Sequence, residues 1–246
     1  MGTKINLIDL IPLDIFINKE PIVIDLVYAD ARHPRNIFKE QLYHPNARLW
    51  AHKDIAAIAL LTARMIHKKH GWTLKIKDCL RTTDAQTAMQ ETPIVRKHPE
   101  WGAGSSRLLA PAGAGGHPRG LAIDVIPLDI NGNRVNMGTL FDDLTAESAR
   151  DYTGFPATIL DNRQKLEDAF VASAKTLNFP FLPLPCEWWD FRFPAQYYDQ
   201  YSPLSDADLP PQMQMTNKIE NGITGFDNAH FQKLADSITA LIEPHT

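Results

Sequence analysis

Two acidic segments far apart in the chain constrain its fold most, because neither is at home in a core without the other. The first is Gly116-His117-Pro118-Arg119-Gly120-Leu121-Ala122-Ile123-Asp124, and the second is Glu187-Trp188-Trp189-Asp190. Leu121, Ile123 and Val125 phase a strand and put Asp124 on its other face with Ala122 and Ile126, where an unpartnered carboxylate is costly to bury. Glu187 and Asp190 can face one cavity only if the backbone turns or bulges between them. Cys186, Trp188, Trp189, Phe191 and Phe193 make this the most apolar and aromatic neighbourhood in the chain. Brought together, the segments offer one imidazole and two carboxylates, with a glutamate three residues before the last. That is the inventory of a catalytic zinc site: three ligands, an open position, and a carboxylate to handle a proton. On this reading His117, Asp124 and Asp190 are metal ligands, the tryptophans wall a dry pocket, and the chain is a metal-dependent hydrolase. Taken singly, each residue has a plainer account. Asp124 fits a solvent-facing edge strand or a salt bridge, His117 is one of nine histidines, and both later acids fit a wet loop.

Composition sets mild bounds. With 246 residues and 44% hydrophobic content, the chain can bury an ordinary core in one large domain or one domain with an appendage. A net charge of −4 supplies no basic field, so nucleic acid is not an expected partner. Cys79 and Cys186 cannot build a disulfide framework and read as free thiols in a reducing compartment. Ile5 to Ile17 is interrupted by Asp9, Pro12 and Asp14, unlike a secretory signal, and no run reaches the length of a membrane span. Cytoplasm is the default expectation, with export left open.

The pattern predicts an α+β fold: a small, mainly antiparallel sheet flanked by helices, a domain over 1–193 and a C-terminal extension over 194–246. Strands are expected at Pro21–Tyr28, Thr73–Cys79 and Leu121–Leu128, the last leading through a type I′ turn at Asn131-Gly132 to a return strand near Arg134–Asn136. Helices are expected at Asp54–His70, Asp84–Gln90, Asn162–Leu177 and Asp227–Leu241. The last carries a stripe of Phe231, Leu234, Ile238 and Leu241. The extension is expected to pack on the domain or form a dimer contact. Arg81, just past the second strand, can donate to a developing oxyanion or pair with Asp78 or Asp84.

The combination His117-x-x-Gly120-x-Ala122-x-Asp124 with Glu187-Trp188-Trp189 resembles the D-alanyl-D-alanine dipeptidases, zinc enzymes of the vancomycin-resistance type. Leu74 to Arg81 is similar to the strand leading to that family's arginine, Met137-Gly138-Thr139-Leu140-Phe141-Asp142 to its Met-Gly-Thr-x-Phe-Asp block, and Asn162-Arg163 to its Asn-Arg pair. The likeness covers about residues 40–193. It implies that His117 and Asp124 ligate one zinc ion, Glu187 is general base and acid for a metal-activated water, and Arg81 polarises the scissile carbonyl. Asp142 would anchor the substrate's amino group; the residues themselves, not the resemblance, put Trp188 and Trp189 at the substrate pocket. The substrate implied is D-alanyl-D-alanine or a similar short D-amino-acid dipeptide of cell-wall metabolism. An amidase for other wall-derived peptides and a non-catalytic peptide-binding relative are the alternatives.

Three departures stand out. Asp190 replaces the family's third-ligand histidine, Thr82 its proline after the arginine, and Gly115 a serine two before the ligand histidine. Aspartate ligates zinc at about the same distance as imidazole, from a shorter side chain, so Asp190 is expected at the third position directly or through one water. Two carboxylates cancel a divalent charge, make a bound water less acidic, and tilt preference toward harder ions such as manganese. A histidine at 190 is expected to raise zinc affinity.

Overall fold

In the computed structural model, which describes residues 2–102 and 109–245, the elements follow one another along the chain. The order is β1 (Thr3–Lys4), β2 (Leu10–Pro12), β3 (Ile22–Ile24), β4 (Trp50–His52), α1 (Lys53–His70), β5 (Thr73–Asp78), α2 (Thr83–Gln90), α3 (Pro93–Lys97), β6 (Ala122–Leu128), α4 (Ala157–Thr176), β7 (Leu182–Pro183), β8 (Asp190–Arg192), α5 (Ala195–Tyr198), β9 (Tyr201–Ser202) and α6 (Asn228–Ile242). The fold is α+β, as the pattern predicts. A five-stranded sheet runs β3-β5-β6-β8-β7, with β3 parallel to β5 and every other pairing antiparallel. β1 pairs with β9 and β2 with β4 in two small outlying sheets. No helix among the described residues is long and apolar enough to cross a membrane.

Helix α1 is apolar on nearly every side, and its buried run from Ile55 to Ala63 places it centrally, packed by α4 and α6. The His52 ring accepts a hydrogen bond from the Asp54 N–H at its start, and Gly71, at φ 68°, supplies the left-handed residue that ends it. Strand β6 is buried along its whole length, with β5 on one side and β8 on the other. Asp124 is therefore not on an edge strand: it lies in the middle of the sheet.

Several local expectations shift. The strand expected over Pro21–Tyr28 is only Ile22–Ile24, after which Val27–Ala29 turns as a short 3₁₀ helix and aims Tyr28 inward. The helix expected from Asn162 begins at Ala157, immediately after Pro156, whose extended backbone precedes the first turn. The type I′ hairpin does not form: Gly132 takes φ 78° but Asn131 does not, and the return strand shrinks to one bridge between Leu128 and Arg134. In α6 the buried stripe is Phe231, Ala235, Ile238 and Ile242, leaving Leu241 47% exposed. Phe231 meets the Trp50 ring at 5.3 Å, and that contact sets the helix's rotation.

Candidate active site

The sheet itself sets three carboxylates side by side. Register pairs Asp78 on β5 with Asp124 on β6, and Asp124 with Asp190 on β8. A bulge between Ile76 and Asp78 brings Asp78 level with the other two. Like charges in register repel, so this row needs cations. Arg81 gives its Nε to Asp78 Oδ2 at 2.8 Å, and its Nη2 lies 3.3 Å from Asp124 Oδ2. Both the pairing with Asp78 and the place beside the acids are thus realised, while Asp84 accepts from the Asp206 N–H instead. Arg192 closes on Asp190 from the other side, donating Nε to Oδ1 at 2.7 Å and Nη2 to Oδ2.

His117 comes from the one-turn 3₁₀ helix His117–Arg119. Its Nδ1 pairs with the Cys79 carbonyl at 2.7 Å, which fixes the ring and leaves Nε2 facing the acids. Nε2 is 3.4 Å from Asp124 Oδ1 and 3.3 Å from Asp190 Oδ2. Ligands about 2.0–2.2 Å from a tetrahedral zinc stand roughly 3.3–3.6 Å apart, so these separations suit that ion. Among the described residues, buried Asp124 Oδ1 has no hydrogen-bond partner and only His117 Nε2 at 3.4 Å beside it, which leaves it open to a cation. Asp78, His117 and Asp124 have ligand atoms within 4.8 Å of one another, as do Asp124, Glu187 and Asp190, so the imidazole and carboxylates offer a divalent metal a fitting donor set. Burial opposes charge on His117, yet Asp124 and Asp190 outweigh it and lift the imidazole to about 10. A metal binding here displaces that proton. Burial would likewise raise Asp190, but Arg192 and His117 hold its carboxyl well below the usual range.

Glu187 sits in the turn before β8. A carboxylate oxygen of Glu187 lies within 4.8 Å of ligand atoms of Asp124 and Asp190, and among the described residues nothing hydrogen-bonds its side chain. Burial first, then the nearby Asp190 and Asp124 charges, push it well above the ordinary carboxylate range. Asp142 takes a left-handed conformation, φ 61°, at the end of the Met137–Asp142 block. Arg163 ties that block down by donating to the carbonyls of Met137, Ala149 and Glu147, and Asn162 donates to Asn136. The Tyr28 hydroxyl donates to Asp142 Oδ2 at 2.7 Å, and burial pushes this carboxyl up to about 7.

These side chains line one cleft of about 530 Å³, with Tyr28, Arg81, His117, Asp124, Asp142, Glu187, Asp190 and Arg192 in its walls. Trp188 and Trp189 are not in it. Both are essentially fully buried behind the wall: Trp188 Nε1 donates to Thr139 Oγ1 at 2.8 Å, and Trp189 packs edge-on to Phe141. The expectation that they touch substrate is corrected, because their indoles brace the Asp142 loop from behind. His230 stays in α6 with its Nε2 at the Ile8 carbonyl and takes no part. Thr82 caps α2 by accepting from the Ala85 N–H. Sequence reasoning missed Tyr28 and Arg192. Nothing marked Tyr28, whereas Asp190-x-Arg192 in a strand puts both side chains on one face and was a readable signal.

The sequence profile described as D-Ala-D-Ala dipeptidase matches residues 14–206. A D-alanyl-D-alanine dipeptidase of Escherichia coli (strain K12) is 31% identical over 185 residues, covering 73% of this chain and 85% of that protein. A crystal structure of an L-Ala D-Glu endopeptidase from Serratia marcescens covers 60% of this chain and 84% of its own, at 14% identity and a TM-score of 0.35. That last likeness is too slight to bear on the site. With the profile spanning most of the chain and the curated relative agreeing, the chain belongs to the D-Ala-D-Ala dipeptidase family of peptidases.

Proposed function

We propose that this peptidase is a zinc dipeptidase, hydrolysing D-alanyl-D-alanine or a similar short D-amino-acid dipeptide in cell-wall metabolism. One observation carries the reading: His117 Nε2 stands 3.4 Å from Asp124 Oδ1 and 3.3 Å from Asp190 Oδ2, in a cleft that also holds Glu187. The ion held by these three supplies Lewis acidity for a carbonyl and for water. The oxygen-rich set also admits a harder ion such as manganese.

The remaining roles fall to protein groups. Glu187, with its proton affinity raised by burial, takes a proton from the attacking water and delivers it to the departing amine. Arg81, braced by Asp78, places a guanidinium where negative charge develops on the carbonyl oxygen. Asp142, held by Tyr28, receives the ammonium of the substrate and so restricts the cleft to peptides with a free amino end. Residues 1–193 form the catalytic unit, and 194–246 an extension that packs on it through α6 and Trp50. Two free thiols, Cys79 buried and Cys186 at the cleft, accord with cytoplasmic action.

Zinc content of the purified protein, measured beside release of D-alanine from D-alanyl-D-alanine, tests the reading. Near-stoichiometric zinc with chelator-sensitive cleavage is expected. A zinc-loaded protein inert toward every free dipeptide, or an active protein indifferent to chelation, would overturn it.

A further inference from the structure

Gly115 and Asp190, two of the departures from the family pattern, meet at one side chain. Arg192 lies two residues beyond Asp190 on the same face of β8 and grips both carboxylate oxygens with its Nε and Nη2. A Cβ added at Gly115, whose φ is 81°, would stand 3.4 Å from Arg192 Nη1, so any side chain here would sit in contact with the guanidinium. Asp190 is buried, and the Arg192 side chain is only 15% exposed. A fork closed on a carboxylate fixes its plane, yet each oxygen keeps a further lone pair. The oxygen beside His117 Nε2 is Oδ2, one of the two that Arg192 holds.

We propose that Asp190 and Arg192 work as one charge-compensated ligand unit, with Arg192 a positioning residue. The guanidinium orients Oδ2 toward the metal position and cancels the charge that a second carboxylate brings. The inference rests on the metal-site reading above. One imidazole, two carboxylates and a zinc ion sum to no net charge. The guanidinium returns one positive charge, the value that two imidazoles and one carboxylate would give. The sequence expectation for a histidine at 190 then reverses. Asp190→His would leave an unpaired guanidinium pressed against a divalent cation in a site poor in water, where like charges repel strongly.

A double-mutant cycle read by zinc affinity decides the matter, with competition against a chelating dye as the titration and circular dichroism as the check on folding. The proteins are wild type, Asp190→His, Arg192→Met and the double variant. Zinc binding should weaken about tenfold or more on Asp190→His when Arg192 is present, and that penalty should shrink by about tenfold or more in the Arg192→Met background. Arg192→Lys keeps the charge without the fork, so the penalty should persist there. If Arg192→Met does not fold, Arg192→Gln takes its place, removing the charge while keeping a donor. Cobalt loading adds a reading of geometry: Arg192→Met should alter the visible bands of the bound ion, which a role in folding alone would leave unmoved. An Asp190→His effect of equal size in every background would overturn the unit while leaving the metal site standing. Failure of wild type to bind zinc would overturn the metal site itself.

Discussion

Asp142→Asn should make the protein more stable and a poorer enzyme, by amounts that depend on pH in opposite ways. The carboxyl is buried, accepts one hydrogen bond from Tyr28, and is pushed up to about 7 from an ordinary 3.8, chiefly by burial. Below pH 3.8 both folded and unfolded chains carry the proton, and nothing is lost. Between there and pH 7 the unfolded chain ionises first, so the folded state holds the extra proton and stability falls as pH rises. Above pH 7 the cost levels off, on the order of 4 kcal/mol. Asparagine keeps the size and can still accept from Tyr28, so it removes the charge and little else. Urea titrations of metal-stripped protein should show wild type and variant alike at pH 4 and the variant about 2–4 kcal/mol more stable at pH 8. Stripping matters because a bound dication would draw the carboxyl down. On free dipeptides the variant should lose a charge-assisted contact of about 1.5–3 kcal/mol, roughly 10- to 150-fold in KM. A variant no more stable at pH 8 than at pH 4, relative to wild type, would refute the idea that Asp142 is a strained acid kept for binding.

Three further outcomes can be checked on the same material. Glu187→Ala should keep zinc content near wild type while turnover falls about 100-fold or more, measured by D-alanine release with metal analysis alongside; full activity would remove Glu187 as the base. N-acetylated dipeptides should be cleaved poorly by wild type and no worse by Asp142→Asn, since the cap removes the ammonium that Asp142 receives; equal cleavage of capped and free substrates would favour an amidase. Asp190→Asn should weaken zinc in a competition titration, because it removes the charge that both the metal and Arg192 share; unchanged affinity would leave Asp190 a bystander.

The sequence carried the fold class and the gathering of the acids, for identifiable reasons. Periodicity exposed α1, β5 and β6 because each has a long apolar face or run, and such patterns survive whatever packs against them. The short elements were less legible. Whether Pro21–Tyr28 stays extended depends on the turn that sends Tyr28 toward Asp142, a contact across more than a hundred residues. The stripe on α6 was misjudged by a fraction of a turn, because Leu241 and Ile242 are equally apolar and only Trp50 decides which side faces in. The tryptophans were misplaced for a similar reason. An aromatic pair beside two acids reads as a pocket wall, whereas here each indole serves the core from the far side of the same backbone.

Asp190 shows why a substitution at a ligand position is poorly read alone. Taken as a lone change it predicts an electroneutral, oxygen-rich site with diminished acidity. The structure adds a guanidinium on both of its oxygens and a glycine that leaves room for that guanidinium. In a row where Asp78, Asp124 and Asp190 stand in register, every carboxylate has a cationic neighbour: Arg81 for the first two, and Arg192 with His117 for the last. Glu187 and Asp142 make none of those ion pairs among the described residues, and burial raises both, as it raises Asp124. Asp190 is the acid that its pairing with Arg192 and His117 holds well below the usual range, and an ionised carboxylate suits a cation. Glu187 and Asp142, for which burial outweighs the more distant Arg192 and Arg81, keep their protons longer and suit proton transfer and the capture of an incoming ammonium. The contrast between Asp190, held ionised by Arg192 and His117, and Glu187, raised by burial and nearby carboxylates, underlies the ligand and base roles proposed for them.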